Sequence, residues 1–330
     1  LPEFEEDEWF HGGDVRNTRL GLDFRGPDLF GNWRASGTLE VDFFGGFAGS
    51  GTLSGEQPQL RLRLAYVDLT NGRTTIRLGQ AWSPTFGYVP ESLSHIAFPL
   101  GWGGGGLIGW RFPGLFLIHE LNTEGPTRAQ IQFAAMRGSW SDEIGPDGAR
   151  AGEATLVPQL EARFGLRRQS GTRGTDWEAF VAGHYDHKDL SGPGIDDDDD
   201  LDGWAVTGGF RVRPGRFTLL ANGYIGRAIG HLFAQILQFA DLEGWGAQGQ
   251  VGYDLTDNWS LWGFYGIDNP DDDAPLRLRN RIISTMLRYR YGQYSAGLEW
   301  YRALTDHRVL IDDERGVNGN QFALSVRYDL

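Results

Sequence analysis

The sequence predicts an all-β fold: a transmembrane antiparallel β-barrel of about sixteen strands. Three observations predict it. The first is strict alternation in strand-length segments. In the last nine residues, Phe322, Leu324, Val326, Tyr328 and Leu330 form an apolar set, and Ala323, Ser325, Arg327 and Asp329 a small or polar one. Successive strand side chains point to opposite faces, so one face meets lipid and the other water. The second is the lack of any apolar run near the ~20 residues of a spanning helix, whereas a tilted strand crosses in roughly ten. The third is a rhythm of tight turns and long connections, the pattern of periplasmic turns and external loops.

The elements follow in order. Strands are expected over 16–25, 32–44, 59–69, 73–82, 107–121, 128–138, 156–167, 175–186, 203–213, 216–227, 243–254, 257–267, 279–291, 293–303 and 319–330. Short turns fall at Gly26-Pro27-Asp28, Thr70-Asn71-Gly72, Pro214-Gly215, Thr256-Asp257 and Tyr291-Gly292, where residue chemistry favours turns. Long connections fall at 45–58, 83–106, 139–155, 187–202, 228–242, 268–278 and 304–318. Phe112-Pro113-Gly114-Leu115 has the look of a hairpin turn, yet a turn there breaks the rhythm downstream. The segment 107–121 therefore reads as one strand with a proline near its outer end. Fifteen strands result, and bacterial barrels have even numbers. Parity places the remaining strand before residue 16, where residues 1–11 are too acidic to fill it well; that strand is either atypical within 1–15 or absent from the chain.

Composition agrees. The 330 residues suit one barrel domain over 1–330, with 13% aromatic residues, including 12 Trp, 11 Tyr and 20 Phe. Mean hydropathy is nonetheless negative, as expected where every second strand residue faces water. There is no Cys, hence no disulfide framework and no thiolate chemistry. The formal charge of −14 argues against a nucleic-acid partner. The chain begins Leu-Pro-Glu-Phe-Glu-Glu-Asp-Glu, without a leader pattern, so an exported protein is expected here in its mature form.

With the apolar face outward, the inner set includes Arg19, Asp23, Arg25, Arg34, Glu40, Asp42, Arg61, Arg63, Arg77, Gln130, Gln132, Glu161, Arg163, Arg167, Arg211 and Arg213. Arginine outnumbers acid. Two readings stand: a positive wall that favours small anions, or arginines neutralised by lumen carboxylates. An arginine facing lipid at mid-membrane costs about 2–4 kcal/mol, so the water side is the expected one.

The acids gather in long connections. Asp196, Asp198 and Asp200 belong to a run of five aspartates, Asp271 and Asp273 to a second cluster, and Asp312, Asp313 and Glu314 to a third. The first two offer weak Ca²⁺ candidates, but none has the spaced ligand-and-glycine pattern of an EF-hand, and a solvated, self-repelling loop is the plainer reading. Residues 228–242 place apolar groups at 229, 232, 233, 236, 237 and 239–240, a helical spacing that predicts a short amphipathic helix at the outer rim; it can cap the pore, lie at the lipid interface or contact a neighbouring subunit, and packing on the barrel's own loops is the plainest reading. His184 and His187 fall on opposite faces of a strand and cannot share a metal. Gly-Trp-Gly-Gly-Gly-Gly at 101–106 lacks the Lys-Ser/Thr of a phosphate loop. No Ser–His or Asp–His spacing marks an enzyme site. A barrel enzyme, a carbohydrate-selective channel and a soluble all-β binding protein are the alternatives; five Trp residues (Trp177, Trp204, Trp245, Trp259, Trp300) alternate onto the outer face, where an interfacial belt belongs.

Asn17–Phe24 and Gly37–Phe44, joined by a short turn, resemble the second and third strands of Gram-negative porins. Leu60–Val67 followed by Ile76–Pro84 looks like the next pair, and Val157–Arg163 is similar to a later strand of the DcaP-like branch of trimeric porins. The chain ends on Leu330, where such porins usually end in Phe. The resemblance implies a sixteen-stranded barrel, a homotrimer in the bacterial outer membrane among its lipids and lipopolysaccharide, and a third external loop folded into the lumen. By position that loop is Ser83–Gly106, whose prolines and glycine run suit close packing against a wall. The implied function is passive diffusion of small hydrophilic solutes, with no reaction and no cofactor. The pore-lining candidates are Trp82, Tyr88, Glu91 and His95 at the loop, and Arg34, Arg61, Arg63 and Arg77 on the facing wall. A mild anion preference is expected, opposed at the mouth by the acidic loops.

Overall fold

The computed structural model describes Trp9 and residues 11–45, 58–140, 151–169, 175–190, 200–271, 274–310 and 313–329. Fifteen strands form one antiparallel sheet: β1 (Leu20–Asp28), β2 (Arg34–Asp42), β3 (Arg61–Asn71), β4 (Thr74–Trp82), β5 (Arg111–Glu120), β6 (Thr127–Met136), β7 (Gln159–Arg168), β8 (Asp176–Asp189), β9 (Asp200–Arg213), β10 (Phe217–Arg227), β11 (Glu243–Asp254), β12 (Trp259–Pro270), β13 (Arg277–Tyr291), β14 (Tyr294–Leu310) and β15 (Asp313–Tyr328). Each strand pairs with its neighbours in sequence, and among the described residues β1 and β15 are the sheet's two free edges. With an odd number of alternating strands, these two edges run in the same direction. The expected strand before residue 16 falls partly outside the described residues; Trp9 stacks on Phe322 of β15 at 6.3 Å, and the described part of 11–19 forms no strand.

The burial profile is the reverse of a water-soluble sheet. Leu22, Phe24, Val67, Leu78, Leu115, Val206, Leu261, Leu298 and Leu324 are exposed, while Asp42, Arg63, Glu161, Lys188, Asn222, Asp268 and Glu299 are buried. Along β9 the alternation is complete from Asp200 to Thr207. At the short-turn rim, aromatic pairs Phe217–Tyr253, Trp259–Tyr289 and Tyr294–Tyr328 lie 4.7, 5.0 and 4.8 Å apart. Rings with one polar edge suit a membrane–water boundary.

The sheet wraps around the connection 83–106. Residues of this connection bond to β3, β7, β10, β11, β13 and β14 (Arg63, Glu161, Asn222, Gln250, Asn280 and Glu299). Its glycines allow the contact. Gly106 has a φ of +88°, and a Cβ there meets the backbone of Ala247 on β11.

Several elements differ from expectation. β5 begins at Arg111, because 107–110 belongs to the inward connection, where Gly109 turns at a φ of +106°. The predicted helix at 228–242 is two single 3-10 turns, Gly230–Leu232 and Gln235–Leu237, with positive φ at Phe233, Gln235, Ile236 and Leu237. Its apolar spacing reflects burial on several sides rather than one helical face. The connection expected at 304–318 is a continued hairpin, with β14 and β15 paired out to Leu310↔Asp313 and a register shift between Arg308 and Leu310. The turn expected at Gly26-Pro27-Asp28 lies later, around Phe30–Asn32. Finally, β2 and β3 shift register between Glu40 and Val41, so Arg63 faces no single partner, and Tyr66 and Asp68 fall on the face of Arg61. Simple alternation cannot anticipate such a bulge.

Candidate functional site

The inner surface divides into two unlike walls. The first lies at the outer ends of β2–β5. Arg61 donates to Asp42 at 3.0 and 2.6 Å, and Arg63 bonds Glu40 at 2.5 Å and Asp42 at 2.8 Å. Arg63 is 1% exposed and Asp42 fully buried, so these pairs are shielded from solvent. Arg61 approaches the Trp110 ring at 5.9 Å and Arg63 the Trp82 ring at 5.8 Å, while Arg111 lies 4.8 Å from the Trp82 ring and 4.3 Å from that of Trp110. Its Nε and Nη1 are buried without a hydrogen-bond partner among the described residues. Arg19 reaches in from before β1 and donates to the carbonyl of Ile96. Four guanidinium groups thus stand around two carboxylates, Glu40 and Asp42.

The second wall, β7 and β10–β14, clasps the connection with side-chain amides on β10, β11 and β13 and with carboxylates on β7 and β14. Asn222 accepts from Tyr88 N–H and donates to its carbonyl, both at 2.8 Å. Gln250 does the same for Glu91 at 2.7 and 2.8 Å. Asn280 donates to Gly104 at 2.6 Å. A side-chain amide offers the same donor and acceptor as a peptide, so each completes a main chain that has no strand partner. Glu161 accepts from Thr85 N–H and Oγ, and Glu299 from Ser92 and Ser94. None of Asn222, Gln250 or Asn280 stood out in the sequence. The available signal was an inward amide among glycines, as in Ala247-Gln248-Gly249-Gln250.

The eight pore-lining candidates do not form one cluster. Arg61, Arg63 and Trp82 come together. Arg77 pairs with Asp68 at 2.8 Å and covers the Tyr66 ring at 3.7 Å. Five residues separate Asp68 from Arg63 along β3, roughly 17 Å at strand rise. Arg34 is further still, at the short-turn rim, 78% exposed and paired with Asp28. Tyr88 sits between Arg163 and Arg211, at 5.8 and 5.0 Å, and burial pushes its hydroxyl up to about 12. Glu91 pairs with Arg288 at 3.0 Å. His95 stacks on Tyr301 at 4.8 Å and lies 3.8 Å from Glu299. Of the other inner arginines, Arg167 and Arg211 pair with Glu120 and Glu178, and Arg163 donates to the carbonyls of Pro84 and Phe86.

The connection 228–242 also turns inward. Phe233 stacks on Trp102 at 4.0 Å and Trp110 at 4.6 Å, and Trp102 and Trp110 stack at 4.4 Å. Gly109 N–H donates to Leu232. Of the calcium candidates, Asp196, Asp198 and Asp273 lie outside the described residues. Asp200 approaches His187 at 3.8 Å, and Asp271 follows β12, which β10 and β11 separate from β9.

No protein-family model matches the chain, and no curated protein matches it by sequence. Its fold does match solved structures. The outer membrane channel DcaP of Acinetobacter baumannii is 21% identical, with a TM-score of 0.70 over 96% of this chain and 85% of that one. The anion-selective porin from Comamonas acidovorans is 14% identical, with a TM-score of 0.55 over 94% and 87%. The trimer form of OmpT, an outer membrane protein of Vibrio cholerae, is 13% identical, with a TM-score of 0.53 over 94% and 90%. The chain has the fold of outer-membrane porins.

Proposed function

We propose that the chain is a bacterial outer-membrane porin: a passive diffusion channel for small hydrophilic solutes, with a mild preference for anions and no catalytic step. The observation that carries the preference is the excess of guanidinium over carboxylate where 83–106 meets β2–β5, with Arg111 holding unpaired N–H groups. In a narrow passage such charge sets the ion ratio. Residues 83–106 are the constriction in this reading, with Arg61 and Trp82 on its positive side and the buried Arg63 and Arg111 adding charge from behind. Arg34 and Arg77, each paired near the short-turn rim, contribute little. The aromatic rings favour this reading over a carbohydrate track. Trp102 and Trp110 stack on each other and on Phe233, so their faces are already occupied.

We also infer a homotrimer. A shallow depression lined by Gly26, Ala35, Gly37, Ala65, Val67 and Leu78 runs over β1–β4, and small residues admit close approach of a neighbour. OmpT, of the same fold, has a trimer form.

The deciding measurement is the reversal potential of single channels in a salt gradient. Wild type is expected to favour anions mildly, more so once salt screens the acidic outer loops, and Arg111→Gln should move the potential toward cations. A wild-type channel selective for cations at every salt concentration sinks the charge argument. The absence of any channel in a folded preparation sinks the porin reading.

A further inference from the structure

We propose that His184, Asp186 and His231 form a binding site for a divalent transition metal of the zinc class, which ties the 228–242 connection to the barrel wall. His184 and Asp186 stand two apart on β8, so both point inward. His231 arrives from the first 3-10 turn of the connection. One ligand atom from each lies within 4.8 Å of the others, and all three residues are buried.

The geometry matches a metal's needs at several points. His184 Nε2 is 3.1 Å from Asp186 Oδ1, and His231 Nε2 is 3.8 Å from Asp186 Oδ2. Ligand atoms around a tetrahedral zinc are about 3.4 Å apart, given bonds near 2.0–2.2 Å. Behind His184, Nδ1 lies 2.9 Å from Glu161 Oε1. A carboxylate on the far nitrogen fixes the tautomer and turns the other nitrogen toward a metal. The independent observation is His231 itself: both of its ring nitrogens are buried with no hydrogen-bond partner among the described residues. Buried polar groups rarely stay unpaired without a reason, and a bound cation supplies one. Two imidazoles and one carboxylate suit zinc and its neighbours in the first transition row.

Lys188, the chain's single lysine, competes for the site. Its Nζ lies 2.7 Å from Asp186 Oδ2, with the Trp140 ring at 4.4 Å. An ammonium and a metal contend for the same oxygen, so removing the ammonium should favour the metal.

The test uses chelator-treated full-length protein in detergent, with Zn²⁺ followed by calorimetry and Co²⁺ by visible absorption. One Zn²⁺ per chain is expected. His231→Asn should abolish binding, and Glu161→Gln should weaken it about 10–100-fold, the range for outer-shell partners. Lys188→Met should tighten it, and His187→Asn should leave it unchanged. Heat-dependent gel migration verifies that each variant is folded. Crystals of wild type grown with Zn²⁺, measured at the zinc edge, need no variant: an anomalous peak among the three residues supports the site. No peak there, zinc only at His187, which stands 3.8 Å from Asp200 and 2.9 Å from Asp202, or undiminished binding in folded His231→Asn overturns it.

Discussion

The two walls of the lumen hold the same connection by opposite means. Along β10–β13, Asn222, Gln250 and Asn280 bind main chain through neutral amides. Along β2–β5, Arg61, Arg63 and Arg111 crowd around Glu40 and Asp42 with charge left over. Amides fix position without setting up a field. Guanidinium groups set up a field. The difference teaches that positioning and selection can be assigned to different strands, and so can be disturbed separately.

The largest disturbance should come from cutting the shared element. Deleting residues 88–98 removes the segment gripped by Asn222 and Gln250, and single-channel conductance should rise several-fold. An unchanged conductance in a folded deletion protein breaks the comparison, because the connection then does not restrict the pore. Next comes the charged wall. Arg63→Ser leaves Asp42 and Glu40 short of a buried partner, and breaking such a pair costs about 3–5 kcal/mol. The folded trimer or monomer should melt at lower temperature, and with Arg61→Ser added the reversal potential should move toward cations. On the amide wall, Asn222→Leu strands the buried N–H and carbonyl of Tyr88, each worth about 1–3 kcal/mol. Open-channel noise should grow, while the reversal potential stays put. A selectivity shift in this variant contradicts the division between walls. The smallest effect belongs to Arg34→Ser at the solvent-exposed rim, within about 0.5 kcal/mol of wild type by thermal melting.

How much of this was legible follows from the physics of each segment. Strands such as 243–254 and 217–227 were readable because lipid and water impose a period of two. That period fades where both faces of a hairpin meet water. Thr305-Asp306-His307 and Gly316-Val317-Asn318 therefore read as loop, although β14 and β15 continue through them. At 228–242 the apolar spacing was real but its cause was burial in irregular turns. The Arg61–Arg63 pair was readable from alternation, whereas their difference from Arg77 was not, since it depends on a bulge and on strand position. His184 was set aside because its sequence neighbour His187 lies on the other face. Its partner, 47 positions away, is brought close only by the fold.

The ring contacts inside the connection between β4 and β5 carry an optical consequence. Trp102 and Trp110, parallel to within 22° and 4.4 Å apart, are close enough for their indole transitions to couple. Coupled chromophores in a chiral setting give paired bands of opposite sign in near-ultraviolet circular dichroism, and tryptophans scattered over the outer face do not. The protein thus carries its own spectroscopic signature for an assembled interior, readable without a label and lost when the connection between β4 and β5 leaves its place.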